Sequence, residues 1–257
     1  MVTLELGGHV VRVFDSIEDL PMVRYHKYQK FALIDAGVGS DIAALDRRLE
    51  KTRIFTAQGK TDEAARELEN LRQCVFFIQS EMSPRNLSFA ALVAEIDGDP
   101  VTDISDEALR AICRKLQDTP EREMAAQVEA VKKKIDEELT LFFPSLFEGS
   151  ELKEYYGLMR KRILAVLAAV QRGEWDGDDV RAATDELLTF SKPKRYTGPD
   201  GAEVEHEKQF DSICLVMSER LHVEPKRMTV QEFYNAYEFL QEQGKREKTA
   251  KNGRNLR

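Results

Sequence analysis

Residues 61–82 read TDEAARELENLRQCVFFIQSEM, and their spacing decides the fold class. Apolar positions Ala64, Leu68, Leu71, Val75, Ile78 and Met82 recur in alternating steps of four and three, the period of one face of an α-helix. Glu63, Arg66, Glu67 and Glu69 fall elsewhere, so the apolar stripe is expected to turn inward. Working upstream, Ser40 or Asp41 caps a helix with Ile42, Leu45, Leu49 and Thr52 on one face, which stops near Gly59. Pro21 suits the first position of an earlier helix through residues 22–35 that ends at Gly37 and Gly39. Composition agrees: 33% charged residues against 8% aromatics favours charged-faced helices over a sandwich or barrel.

The exception is the start of the chain. Thr3 to Leu6 and His9 to Phe14 are β-prone runs separated by Gly7-Gly8, the residues a two-residue turn with positive φ demands. An isolated two-stranded hairpin is marginal, so this one must lean on helices or on another chain's sheet.

Downstream of residue 82, Ser83-Pro84 restarts the chain into a helix carrying Leu87, Ala90, Ala91, Leu92 and Ile96, ending at the turn-like Asp97-Gly98-Asp99-Pro100. Ser105-Asp106-Glu107 opens a helix whose Leu109, Ile112 and Leu116 point inward. Asp118-Thr119-Pro120 reads as a boundary, giving an N-terminal hairpin and helical domain over 1–119. Residues 120–190 then form a helical hairpin or small bundle. Its first helix carries Met124, Val128, Val131, Ile135, Leu139 and Phe142, and its second Leu152, Tyr155, Met159, Ile163, Val166 and Val170. Asp178-Asp179 caps a third, through Phe190. Residues 191–205 are a linker loop. A helix pair over 206–243 has Phe210, Ile213, Cys214, Met217 and Leu221 facing Val230, Phe233, Tyr237 and Leu240. A basic tail, 244–257, sets Lys245, Arg246, Lys248, Lys251, Arg254 and Arg257 against Glu247 and is read as a frayed, solvated end. No repeat at a fixed period is present. The fold class is therefore mainly α, an N-terminal β-hairpin followed by amphipathic helices in bundle-like packing.

A net charge of −8 over 257 residues argues against a chain that mainly wraps a phosphate backbone. The first residues, MVTLELGGHVVRVFDS, lack a basic stretch followed by an apolar core, and no apolar run approaches membrane-helix length, so a cytoplasmic protein without a membrane span is expected. Cys74, Cys113 and Cys214 are odd in number and far apart, which suits free thiols.

The search for chemistry returns no catalytic, metal or nucleotide motif. His9, His26, His206 and His222 sit on four different elements, without ligand spacing. Gly7-Gly8 and Gly37-Val38-Gly39 lack the phosphate-loop register. Asp97-Gly98-Asp99 and Asp176-Gly177-Asp178-Asp179 lack the calcium-loop register and read as turns, with Trp175 anchoring the second. No Gly-x-Ser-x-Gly elbow or locally activated cysteine is present. The expectation is a non-enzyme without cofactor or metal that binds proteins. Candidate partner-binding residues are Leu4, Leu6, Val11 and Val13 on the hairpin, Tyr25 and Tyr28, and Phe233, Tyr234 and Tyr237 on the last helix. Arg24 to Lys30, RYHKYQK, interleaves aromatics with cations as single-strand binders do. That offers a rival reading as a helical nucleic-acid adaptor, beside an amphipathic helix with its tyrosines inward. A helical enzyme whose site has no local motif is the third reading.

The closing segment, Phe210 to Leu221 and then Met228-Thr229 ahead of Phe233-Tyr234 and a charged C-terminus, resembles tailed-bacteriophage tail-assembly and virion structural proteins. Ser16-Ile17-Glu18-Asp19-Leu20-Pro21, with Glu67 to Gln73 and Ser83-Pro84, is similar to proteins of gut-bacterium phages. The resemblance implies morphogenesis: an escort of the tape-measure protein during tail building, or a neck or tail component. Its partners would be other phage structural or assembly proteins, with self-association open, in the host cytoplasm or incorporated in the virion. It carries no catalytic residues over. The chain is longer than the usual small tail chaperone, which leaves both roles open.

Overall fold

The structure is a computed structural model and describes residues 1–80, 83–147, 149–174 and 177–254. Met82, Trp175, Asp176 and Arg257, which carried expectations above, lie outside these residues, as do the side chains of Leu152, Glu247, Lys248, Lys251 and Arg254. The molecule is 70% helical, which makes it a mainly α protein with a small antiparallel sheet.

The chain forms two compact units, and neither is continuous in sequence. The first comprises Met1–Ala32, Arg85–Leu141 and Val204–Arg257; the second comprises Leu33–Pro84 and Phe142–Glu203. The expected boundary at Asp118 to Pro120 falls inside the first unit.

In the first unit, β1 (Val2–Leu6) and β2 (His9–Val13) pair antiparallel, with Gly7 and Gly8 at φ +56° and +81°. The hairpin leans on its own chain: β3 (Val93–Ile96) pairs with β2, and a short β4 (Asp99–Pro100) completes the order β1-β2-β3-β4. The expected helix through Ile96 is thereby corrected. The helix, α4 (Pro84–Leu92), stops at Leu92, and Asp97 and Gly98, at φ +56° and +88°, make the turn of a second hairpin. Asp97 ties this turn to β2, accepting from Val10 N–H at 3.0 Å and lying 2.8 Å from His9 Nδ1.

Around the sheet are the start of α1 (Met22–Val38), α5 (Asp106–Lys115), α6 (Glu121–Phe142), α9 (Ala202–Leu221) and α10 (Val230–Arg254). Leu109, Ile112 and Leu116 are buried as expected, and so are Val128, Val131, Ile135 and Leu139 of α6. The segments before α1 and α10 lie side by side: Met22 N–H donates to Met228 O at 2.8 Å, and Val230 N–H to Leu20 O at 2.9 Å. Two separated stretches quoted above for the phage resemblance are thus hydrogen-bonded to each other. A capping box starts α10, Thr229 N–H donating to Glu232 Oε2 and Glu232 N–H to Thr229 Oγ1. The helix runs on to Arg254, so the tail from 244 to 254 is helical rather than frayed.

The second unit contains the end of α1, α2 (Ile42–Ala57), α3 (Thr61–Gln79), α7 (Ser150–Gln171) and α8 (Asp178–Thr189). Asp41 caps α2 by accepting from Ala44 N–H at 2.7 Å. Two expected faces are corrected here. On α2 the buried positions are Ala44, Arg48, Ile54 and Phe55, while Ile42 and Leu49 are exposed. On α3 they are Ala64, Glu67, Asn70 and Cys74, while Leu68 is exposed. The helical hairpin expected from α6 and α7 is made instead by α7 and α8, and α6 belongs to the first unit. The three cysteines are free, with Cys74 and Cys214 buried.

Candidate functional site

The nine residues expected to meet a partner belong to the first unit, and most are interior. Leu6, Val11 and Val13 are fully buried, and Tyr25, Tyr28 and Phe233 nearly so; Leu4, Tyr234 and Tyr237 are half-buried. For the six buried residues this corrects the expectation of a docking face. The pairing of β3 makes the hairpin part of a covered sheet, and the tyrosines fill a core. The Tyr25 and Tyr28 rings stack at 5.9 Å, and Tyr234 meets Tyr25 edge-on at 6.4 Å. Phe233 lies 5.9 Å from Phe210, as the reading of the final helix pair expects. Burial pushes the Tyr25 hydroxyl well above its ordinary pKa, with Tyr234, Tyr28 and Asp136 adding to the rise.

The cations of RYHKYQK are likewise engaged. Arg24 is buried and donates to Ala91 O at 3.1 Å, to Val93 O at 2.9 Å and to Val101 O, with its guanidinium 5.6 Å from the Phe14 ring centre. It holds together the end of α4, strand β3 and the segment after β4. Lys27 pairs with Asp106 at 2.6 Å and Lys30 with Glu207 at 3.3 Å. The cluster therefore follows the amphipathic-helix reading, its aromatics inward and its cations tied to neighbouring elements.

His26 Nε2 donates to Glu207 at 2.8 Å, and its ring stacks on His206 at 4.4 Å and on Phe210 at 3.9 Å. Burial lowers the His26 pKa, with Glu207 and Asp211 partly offsetting it. His206 is lowered by burial and then by His26. Its Nε2 is buried without a hydrogen-bond partner among the described residues. This stacked imidazole pair ties α9 to α1.

In the second unit, polar groups share the buried side of α3 with Ala64 and Cys74, while Leu71, Val75 and Ile78 of the expected stripe are half-buried. Glu67 is fully buried and accepts from Arg48 at 2.6 Å, while Arg48 also donates to Val38 O at 3.1 Å. Asn70 and Gln73 reach the loop 191–201, donating to Lys194 O at 3.1 Å and Thr197 Oγ1 at 2.7 Å. The Tyr196 ring lies so close to Gly37 that a Cβ there would sit 2.0 Å from it. The expected linker is thus fastened along its length. A cavity of about 740 Å³ opens between the end of α1, α2, α7 and α8. Much of its charge is already compensated: Arg48 by Glu67, Glu50 by Arg53 at 2.6 Å, and Asp35 by the Ser40 hydroxyl.

The feature with most capacity to bind is the outer face of α7. Tyr156, Ile163, Leu164, Leu167 and Val170 expose between 48% and 59% of their surface, an apolar stripe along a 22-residue helix that the exposed Arg160 interrupts. Ala169, on another side, is buried, Met159 and Val166 are half-buried, and Lys161 and Arg162 reach Glu186 and Thr184 of α8. Ile163 and Val170 were expected inside. Periodicity places them on one stripe, but α7 is apolar on two sides and only packing shows which side is covered. No helix among the described residues is long and apolar enough to cross a membrane.

Fold and surface together define a mainly helical protein with a small antiparallel sheet and an uncovered helical face. No protein-family model, curated protein or solved structure matches the chain.

Proposed function

We propose that the protein is a non-enzymatic component of a protein assembly, acting through helical surfaces, in a phage morphogenesis setting of the kind its resemblance to tail-assembly and virion proteins implies. The observation that carries the binding reading is the apolar outer face of α7. Apolar patches of a few hundred Å² on a folded protein are often functional. The engagement of the Arg24 to Lys30 cluster within the first unit leaves the nucleic-acid reading with less to act through.

The test is co-expression with the products of adjacent genes, followed by sedimentation of the purified mixture. A stoichiometric complex above the mass of either component is the expected result. A chain that stays at its own monomer mass alone and with every neighbour would overturn the reading.

A further inference from the structure

We infer that the cavity of the second unit is a binding site for a small organic carboxylate, one negative charge on an apolar body, with Lys51 as its charged partner. The cavity is built by the second unit alone and shares no residue with the exposed stripe of α7, so the site is independent of the assembly reading.

A charge imbalance in the cavity wall carries the assignment. Arg48 and Lys51 of α2 both face the single carboxylate of Glu67, which is 1% exposed. Arg48 takes it at 2.6 Å, while Lys51 stands at 4.0 Å, the outer limit of an ion pair. Lys51 pairs with no other carboxylate among the described residues, and only 22% of its side chain is exposed. Two cations therefore share one anion with little water to make up the difference, a costly arrangement that a second anion would relieve. Burial holds the Lys51 pKa below its ordinary value; Glu67 opposes that shift, and Arg48 and Arg47 reinforce it. Arg47 lines the same wall.

The remaining lining fixes the rest of the ligand. Leu187 and Leu188 of α8, with Phe190 beyond it, present apolar surface to the cavity, and its volume of about 740 Å³ suits a small molecule. Asp35, Asp46 and Glu50 also stand on the lining and would repel a polyanion. Arg48 and Lys51 together exceed Glu67 by one positive charge, which one carboxylate matches and a di- or triphosphate does not.

Isothermal titration of the full chain with cinnamate, an apolar body bearing one carboxylate, tests the site. One equivalent should bind with a Kd below about 1 mM, and the neutral cinnamamide at least about tenfold more weakly. Lys51→Met keeps the stem without the ammonium and should weaken cinnamate by about tenfold or more. Without ligand, its thermal midpoint should equal or exceed that of the wild type, because Arg48 still satisfies Glu67. Leu188→Glu, which adds a carboxylate to the apolar wall, should weaken binding as well. A wild-type Kd above about 1 mM, equal affinity for cinnamamide, or an affinity unchanged by Lys51→Met would overturn the site. A lowered midpoint in unliganded Lys51→Met would make the lysine a structural partner of Glu67 and overturn the imbalance on which the site depends. Sedimentation with neighbouring gene products reads the assembly function separately, so either can fail without the other.

Discussion

Arg24 and the His26–His206 pair show how single side chains hold the first unit. The buried guanidinium of Arg24 satisfies three carbonyls from segments distant in sequence. Arg24→Met keeps the aliphatic volume but leaves those carbonyls without their donor, and the expected loss is about 3 kcal/mol in urea unfolding. A loss below about 0.5 kcal/mol would mean that water replaces the guanidinium at no penalty. The histidines predict a pH dependence with a definite sign. Both fold with pKa values below the ordinary 6.5, so the unfolded chain takes up protons before the folded one does. Their contribution is complete above about pH 6.5 and declines as the pH falls from there toward the depressed folded values. Glu207, Asp211 and Lys30 face the His26 site, the carboxylates partly opposing the shift and Lys30 reinforcing it. The denaturant midpoint should fall between about pH 7 and about pH 5.5, and His206→Phe, which retains a ring, should flatten that fall. An equal slope in the variant would assign the effect to other groups.

Elements are held by their ends and by what lies against them. The Thr229–Glu232 capping box starts α10 where the chain is hydrogen-bonded to the segment before α1, so Thr229→Ala should cost about 1 kcal/mol, read as a lowered thermal midpoint. Gly37 sits in a helix with normal backbone geometry, yet Tyr196 occupies the space a side chain would need. Gly37→Ala should destabilise the second unit by about 1–3 kcal/mol, although alanine is the better helix former. Pairing it with Tyr196→Ala should recover part of the loss; a neutral single variant would show that the loop moves aside freely. Helix positions were legible because four-three spacing, Asp41, Ser105 and Thr229 are local signals. Their buried sides were less so. On α3, Glu67 and Asn70 go inward because Arg48 and the loop carbonyl of Lys194 satisfy them, and neither partner is recognisable from α3 itself. Strand β3 reads as a continuation of α4 because Val93-Ala94-Glu95-Ile96 is too short to show a period and follows the apolar Phe89 to Leu92 directly, although Asp97-Gly98 is a strong hairpin turn.

At the scale of the molecule, the first unit is assembled from three segments, with α6, α9 and α10 contributing from outside residues 1–119. A fragment of residues 1–119 would uncover Tyr25, Tyr28 and His26 and lose the Lys134–Asp15 and Glu138–Ile17 contacts that tie α6 to the segment before α1. It should bind a hydrophobic dye and unfold without a cooperative transition, whereas the full chain should unfold cooperatively. A sharp transition in the fragment would restore the boundary at Asp118 to Pro120 as a domain boundary.

The mainly α class, the N-terminal hairpin and most helix starts were determined by the sequence alone, because periodicity, caps and glycine turns act within a few residues. The candidate partner-binding residues were not, since an exposed aromatic and a buried one occupy identical local patterns. Tertiary structure placed Tyr25, Tyr28 and Phe233 in a core and left one side of α7 uncovered. Burial depends on which distant segment arrives to exclude water, and that information is held in no single stretch of the chain.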